Sequence, residues 1–428
     1  MTGRRAPRAR PARAATLLAA LLVAVAACDR GRASEPGAVY ARKVREAVPR
    51  IEKAVGLPFK SPPKLEVRSK AQVREFVERQ FTESRVAQEL GLKERVYKRF
   101  GLLPDTLDLR RLLTDLLEEQ IVGFYDPKAK TLYVVEGSPP EAAGLVVAHE
   151  LVHALQDQYV NLDSMQNVPG RDDHVGAAQA VMEGQATVAQ LGDASVAASM
   201  PGGWDRVRQM IREQQASMPI FASAPLLIQE TLIFPYLSGA EFMRHASDAN
   251  ITAAKLYADL PSSTEQILHP ERYLTRDAPT EITLFPSTGG GPATTPLPAG
   301  GRRVAYENTL GEFETRLLLY ERLRDQAAAM RGARGWDGDR YALLDVTGGE
   351  ALVWLTVWDS AVDAAEFHDM LRQPPAQPRP TPSGAPAATG RTVSVTSGEV
   401  EGRPVVLLVD APAGAPAPAV DLRSVRLQ

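Results

Sequence analysis

Cysteine, histidine, aromatic residues and net charge are all scarce in this 428-residue chain. Each shortage narrows what the chain can be. The single cysteine, Cys28, rules out any intramolecular disulfide. A formal net charge of −3 argues against a nucleic-acid or polyanion binder, because neutralising phosphates needs a large basic excess. Six histidines are too few for a zinc carrier built on histidine-rich tracts. No internal repeat is visible. The longest apolar run, residues 16–27, falls short of the ~20 residues that cross a bilayer. Hydrophobic residues at 44% and charged residues at 24% are close to the soluble average, so the body can bury a core. The length exceeds one ordinary core and predicts two folded domains with tails.

Much of the basic charge lies at the start, between Arg4 and Arg13, directly before that apolar run. This is the layout of a secretory signal peptide. The run ends in Val25-Ala26-Ala27-Cys28, small residues before a cysteine, and resembles a bacterial lipobox. The resemblance implies cleavage after residue 27, a lipid on Cys28 and a polar tether over residues 28–37. The expected location is therefore extracytoplasmic, on the periplasmic or cell-surface face of a bacterial membrane. In proteobacterial lipoproteins an aspartate at the next position, here Asp29, favours retention at the inner membrane.

From residue 39 Val44, Val48, Ile51 and Val55 recur at helical spacing, and a short strand over 64–67 and a helix over 72–81 follow. Residues 107–119 form another amphipathic helix. Two β-prone runs, 121–125 and 131–135, flank Asp126-Pro127-Lys128-Ala129-Lys130 and read as a hairpin. Ser138-Pro139-Pro140-Glu141 then combines a capping-box pair with proline in the first turn, and starts a helix expected to reach about residue 158. A helix rich in alanine and glycine is predicted over 173–191, with others over 225–246 and 252–260. Residues 286–305, rich in Gly, Pro and Thr, read as a linker. Beyond it, helices over 312–324 and 361–372 alternate with strands over 341–346, 351–358, 392–397 and 405–409. The expected class is α+β: a mostly helical domain over 38–285 with a small antiparallel or mixed sheet, and a smaller α+β domain over 306–428. Trp336, Trp354 and Trp358 of the latter are expected in its core.

The helix after the hairpin carries His149-Glu150-Leu151-Val152-His153. Residues four apart share a helical face, so the two imidazoles can take adjacent corners of a Zn²⁺ tetrahedron. Glu150 is rotated by about a quarter turn, where it can bond a water on the metal without being a ligand. A catalytic site then needs a third protein ligand and one open position. Gln156 and Tyr159 stand where a metzincin requires glycine and histidine, which excludes that subtype. Asp157 lies on the same helix and is better placed to bond His153 from behind. His174 and Glu183 are nine residues apart on the next helix, about half a turn out of phase, so only one of them can face the metal.

Glu183 stands in Val181-Met182-Glu183-Gly184-Gln185-Ala186, where small residues permit close helix packing beneath the metal-binding helix. A His-Glu-x-x-His helix followed by Glu-Gly-x-Ala on a second helix resembles the gluzincin group of zinc metallopeptidases. The resemblance covers roughly residues 120–275. It implies a zincin-like catalytic domain, a zinc ion held by His149, His153 and Glu183, Glu150 as general base, and a peptide or protein as substrate. In thermolysin-like members an aspartate four residues after the glutamate supports a histidine; this chain has Thr187 there, so the support must differ.

Two further features bear on that reading. The strand over 131–135 precedes the metal helix as the substrate-binding edge strand does in zincins. His269, in Leu268-His269-Pro270, is a candidate donor to an oxyanion, with Tyr236 or Tyr257 as substitutes. The alternative is a catalytically silent surface lipoprotein, a binding module whose zinc site is structural or vestigial. The coordination sphere discriminates the two, since a structural zinc is closed by four protein ligands.

Overall fold

A computed structural model describes residues 36–137, 140–190, 209, 212–213, 215–285, 302–376, 390–414 and 418–428, with the backbone alone at 36–39, 77, 82, 84 and 140–143. The expected signal peptide and Cys28 lie outside the described residues, as does Ser138 of the expected capping box. The fold is α+β, as the sequence predicts. Among the described residues no helix is long and apolar enough to cross a membrane.

The first half opens with α1 (Pro36–Val55), whose Tyr40, Ala47, Ile51 and Val55 form its buried stripe. Strand β1 (Lys64–Arg68) follows, then α2 (Lys70–Thr82), α3 (Ser84–Phe100) and α4 (Leu109–Gln120). Ser69 and Gln72 form a full capping box at α2, and Asp108 caps α4. The hairpin is β2 (Gly123–Asp126) and β3 (Thr131–Val135). Strand β1 pairs with β3 in parallel and β2 pairs with it antiparallel, giving the order β1-β3-β2. Thus β3 is the central strand. The edge position expected for residues 131–135 belongs instead to β2, because β1 has come from far back in the chain to cover the other side of β3.

The metal-motif helix is α5 (Pro140–Gln156). It runs through the interior, with Val146, Val147, Leu151, Val152 and Leu155 almost wholly buried. After the short α6 (Leu162–Met165) comes α7 (Asp172–Gln190), packed against α5 on one side. Its other side meets α9 (Leu226–Asp248), which follows the short α8 (Pro219–Ser223). The close approach predicted at Gly184 is there, but toward α9 rather than α5: a Cβ on Gly184 would overlap the Gly239 carbonyl, and one on Gly239 would overlap that of Ala180. Three short helices, α10 (Ala253–Ala258), α11 (Thr264–Leu268) and α12 (Pro270–Thr275), lead to β4 (Ile282–Thr283).

The remaining elements are β5 (Arg302–Asn308), α13 (Gly311–Leu323), α14 (Gln326–Ala333), β6 (Trp336–Val346), β7 (Gly349–Trp358), α15 (Ala361–Arg372), β8 (Arg391–Val400), β9 (Arg403–Pro412) and the terminal β10 (Arg426–Leu427). Five of these strands make an antiparallel sheet of order β5-β6-β7-β9-β8. Its faces follow the two-residue period. Tyr341, Leu343, Leu352 and Trp354 look toward the helices, while Ala342, Leu344, Ala351 and Val353 form a second core. Ile282 of β4 and Val425, just before β10, pack into that second core. All three tryptophans expected in the core are at most 1% exposed. The larger core is shared across the sheet's helical face, where Phe100 of α3 sets its ring edge-on to Trp354 at 5.1 Å.

Candidate metal centre

Helix α5 supplies His149, Glu150 and His153, and α7 supplies Glu183; all four are nearly or fully buried. The two imidazoles project from one face of α5 with centroids 4.8 Å apart. Glu183 Oε2 lies 3.0 Å from His149 Nε2 and 3.3 Å from His153 Nε2. One nitrogen or oxygen from each of these three residues falls within 4.8 Å of the others. Ligands about 2.0–2.1 Å from a tetrahedral zinc stand roughly 3.4 Å apart, so two of the three separations already match.

Unsatisfied polar atoms point the same way. His153 Nε2 is buried without a hydrogen-bond partner, its approach to Glu183 lacking the angle for one. Buried polar groups left unpaired are costly and rare, and two imidazoles with a carboxylate are a fitting donor set for a divalent ion. The residues present therefore fit a metal. Among the described residues no fourth histidine, cysteine or acid joins the group, and Glu150 is not a member of it.

Glu150 is held differently. Its Oε2 accepts the Tyr125 amide of the edge strand β2 at 2.7 Å, while its Oε1 is buried with no partner. Burial pushes its carboxyl up to about 7 against the pull of His153 and His149. For Glu183 burial acts in the same upward sense, but the nearby charge of His153 and the bond from His149 override it and hold the group near 2. Burial opposes the charge on His153, yet Glu183 raises its pKa to about 9. The cluster is thus a carboxylate locked to imidazoles beside a second carboxyl poised near neutrality.

The supporting bonds come from three glutamines. His153 Nδ1 meets Gln156 Oε1 at 2.8 Å, and the Gln156 amide donates to the Met182 carbonyl and to Gln185 Oε1. His149 Nδ1 meets Gln190 Oε1 at 3.2 Å. These contacts fix which ring nitrogen faces the centre. The bond from Asp157 to His153 expected from sequence is not there. Asp157 turns outward to the Tyr125 hydroxyl, Lys130 and the Leu162 amide, because it sits one residue past the position that reaches back under His153. Thr187, whose hydroxyl is buried without a partner, gives no support, and Gln190, seven residues after Glu183 on the same stripe of α7, does.

The remaining candidates fall at varying distances from the centre. Tyr236 of α9 stacks on the His149 ring at 5.9 Å. The Tyr257 hydroxyl bonds Gln185 and is thereby one step removed. His269 is not brought to the cluster: its Nε2 meets the Glu312 carboxylate at 3.0 Å, on α13. His174 lies in the first turn of α7, where burial and Arg171 lower its pKa. A cavity of about 260 Å³ opens beside Glu183 and Tyr236.

Residues 302–420 match the family described as a domain of unknown function, DUF8575, a stretch that includes the five-stranded sheet and none of the metal cluster. No curated protein matches the chain. A Chloroflexus aurantiacus crystal structure, described as that of a candidate hydrolase with a novel fold, is similar over 57% of this chain and 92% of that one, at 16% identity and a TM-score of 0.36. A likeness at that level carries no argument about activity. What this chain holds is a buried His149-His153-Glu183 group able to bind a metal ion.

Proposed function

We propose that the chain is a zinc-dependent peptidase in which His149, His153 and Glu183 hold the ion and Glu150 is the general base. The observation that carries this reading is the split environment of Glu150. One oxygen is anchored by the Tyr125 amide and the other has no partner, beside a three-residue donor group to which no fourth protein ligand is added among the described residues. Two imidazoles and a carboxylate suit zinc, and the His-Glu-x-x-His spacing, which sets Glu150 beside the ligands, favours it over iron, which the same donor set also holds. Bound there, zinc supplies Lewis acidity toward a carbonyl and makes water acidic near neutral pH. Glu150 would accept a proton from the attacking water through its unpartnered Oε1 and hand it to the departing amine. Tyr236, stacked on His149, is the better-placed candidate to donate to the developing oxyanion, ahead of His269.

The substrate lies along β2 in this reading. Val122 directs its carbonyl to β3, so the alternate residues Gly123 and Tyr125 turn theirs to the edge that no strand pairs, next to Glu150. An extended peptide can add there by main-chain bonds. Methylating the amides of a cleaved peptide one at a time should abolish cleavage at alternate positions; indifference to methylation would remove this binding mode.

Replacing Glu150 by glutamine should lower peptide turnover by about 10²–10⁴-fold while metal content stays near one per chain. Turnover equal to the parent's would end the assignment. Glu183→Ala should lose the metal, and full retention would reassign the third ligand. The same proposal includes export and a lipid on Cys28, motivated by the lipobox-like sequence before it. Cys28→Ser should move the protein from the membrane fraction to the soluble one; an unchanged distribution would remove the anchor. We also keep the division into two domains, with its boundary before β5, whose first residues, 302–305, lie inside the linker expected at 286–305; limited proteolysis should yield fragments ending between residues 286 and 301.

A further inference from the structure

The cavity beside Glu183 runs along one stripe of α7: Asp172, Gly176, Gln179 and Glu183 line it at helical spacing. Eleven residues separate its ends, about 16 Å of helix. Phe81, Val86, Leu90, Val168, Leu232 and Phe313 make the middle apolar. Its volume, about 260 Å³, lies just under the range of about 300–1,000 Å³ for sites that take a whole small ligand, so the site is of side-chain size.

The end away from the metal group is acidic. Glu89, Asp172, Asp173 and Glu314 line the cavity, with Lys93 the single cation. Lys93 Nζ bonds Asp172 at 2.6 Å. Asp173 is committed to the amide and hydroxyl of Thr264. Both oxygens of Glu314 share one donor, the Tyr97 hydroxyl, at 2.8 and 3.0 Å. That leaves Glu314 with acceptor capacity, and Glu89 stands one helical turn before Lys93 on α3. Burial pushes the Glu314 carboxyl up to about 8 against the nearby Lys93 charge and the Tyr97 hydroxyl, with Asp172 and Asp339 adding to the rise. A further positive charge is what this group of acids lacks.

Building on the peptidase reading, we propose that the cavity binds the cationic side chain of a peptide, lysine or arginine, through Glu314 and Glu89, its aliphatic stem lying along the apolar walls. The length sets where that residue falls. Subtracting roughly 6 Å of lysine reach from ~16 Å leaves about three residues of extended chain between it and the bond cleaved. The apolar walls alone would accept norleucine equally well, so the discriminating element is charge.

The test uses the full chain carrying Glu150→Gln, loaded with zinc, and fluorescein-labelled alanine decapeptides with one central lysine, norleucine or glutamate, read by anisotropy. Lysine should bind about tenfold more tightly than norleucine, as a charge-assisted hydrogen bond gives, and glutamate more weakly than either. Glu314→Gln with Glu89→Gln should bring lysine and norleucine within about twofold. Norleucine binding as tightly as lysine, or a lysine preference that survives loss of both carboxylates, would overturn the proposal. Cleavage of the same peptides by the parent chain is read separately. Lysine-selective binding without cleavage removes the peptidase reading and leaves the pocket; cleavage at a fixed offset with no lysine preference does the reverse.

Discussion

Gly184 of α7 and Gly239 of α9 meet backbone to backbone, with no room for a methyl group on either. The contact sets the distance between the two helices at the residue next to Glu183, and hence where that carboxylate points. Gly184→Ala should cost about 1–3 kcal/mol through overpacking and lower metal content as well. Thermal melts and metal analysis check both. Gly91→Ala on α3, where an added methyl meets nothing, should instead stabilise by about 0.5–1 kcal/mol.

Gln156 is the link between α5 and α7, holding His153 through Oε1 and the Met182 carbonyl through its amide. Replacing it by alanine leaves a buried imidazole without its partner. Metal affinity should fall by about 10–100-fold, as measured by competition with a chromophoric chelator. Asp157→Asn, one residue on, should have little effect on affinity, since Asp157 faces Tyr125 and Lys130.

Metal removal should be visible in stability. An ion present at about a thousand times its dissociation constant adds about 4 kcal/mol to a fold that binds it only when native. A chelator should therefore lower the melting temperature of the parent chain. The melting temperature of Glu183→Ala should not respond to the chelator.

The pH dependence has a definite sign. Burial pushes Glu265 up to about 9, aided by Glu312, Asp359 and Asp277 against Arg272, and burial likewise lifts Asp173 to about 7. Each such acid binds its proton more tightly folded than unfolded, so stability is greatest below the unfolded pKa and declines as pH rises toward the folded value. Denaturant unfolding should show stability falling between about pH 5 and pH 9. Glu265→Gln should make that fall shallower.

How much of this was legible depended on the range of the interaction. His149, Glu150 and His153 are set by spacing on one helix, while Glu183 was implied by the resemblance that Glu-Gly-x-Ala carries, so two short motifs nominated a group that the fold brings together. Gln156 and Gln190 were not legible: an uncharged amide bonding an imidazole leaves no periodic signal, and the charged Asp157 stands at the neighbouring position. The edge status of β2 depends on β1, a strand far earlier in the chain, and pairing across such a distance has no local trace. Helix α3 was missed because Ser84–Phe100 interleaves charged and apolar residues too closely for a plain stripe. Strand β5 was missed because it is largely polar and because a register shift between Val304 and Tyr306 sends these two to opposite faces, breaking the two-residue period.

The start of α7 is gripped from the far half of the chain, since Asn308 Oδ1 accepts the Asp172 amide at 2.8 Å and Thr309 Oγ1 accepts that of Asp173. Three turns along, the same rod presents Glu183. Fastened at that end and again at Gly184, a stiff helix has no freedom to tilt on its own, so the sheet that carries Asn308 and helix α9 together hold Glu183 in register with α5. Fine adjustment of the centre is thereby entrusted to residues more than a hundred positions away in the sequence.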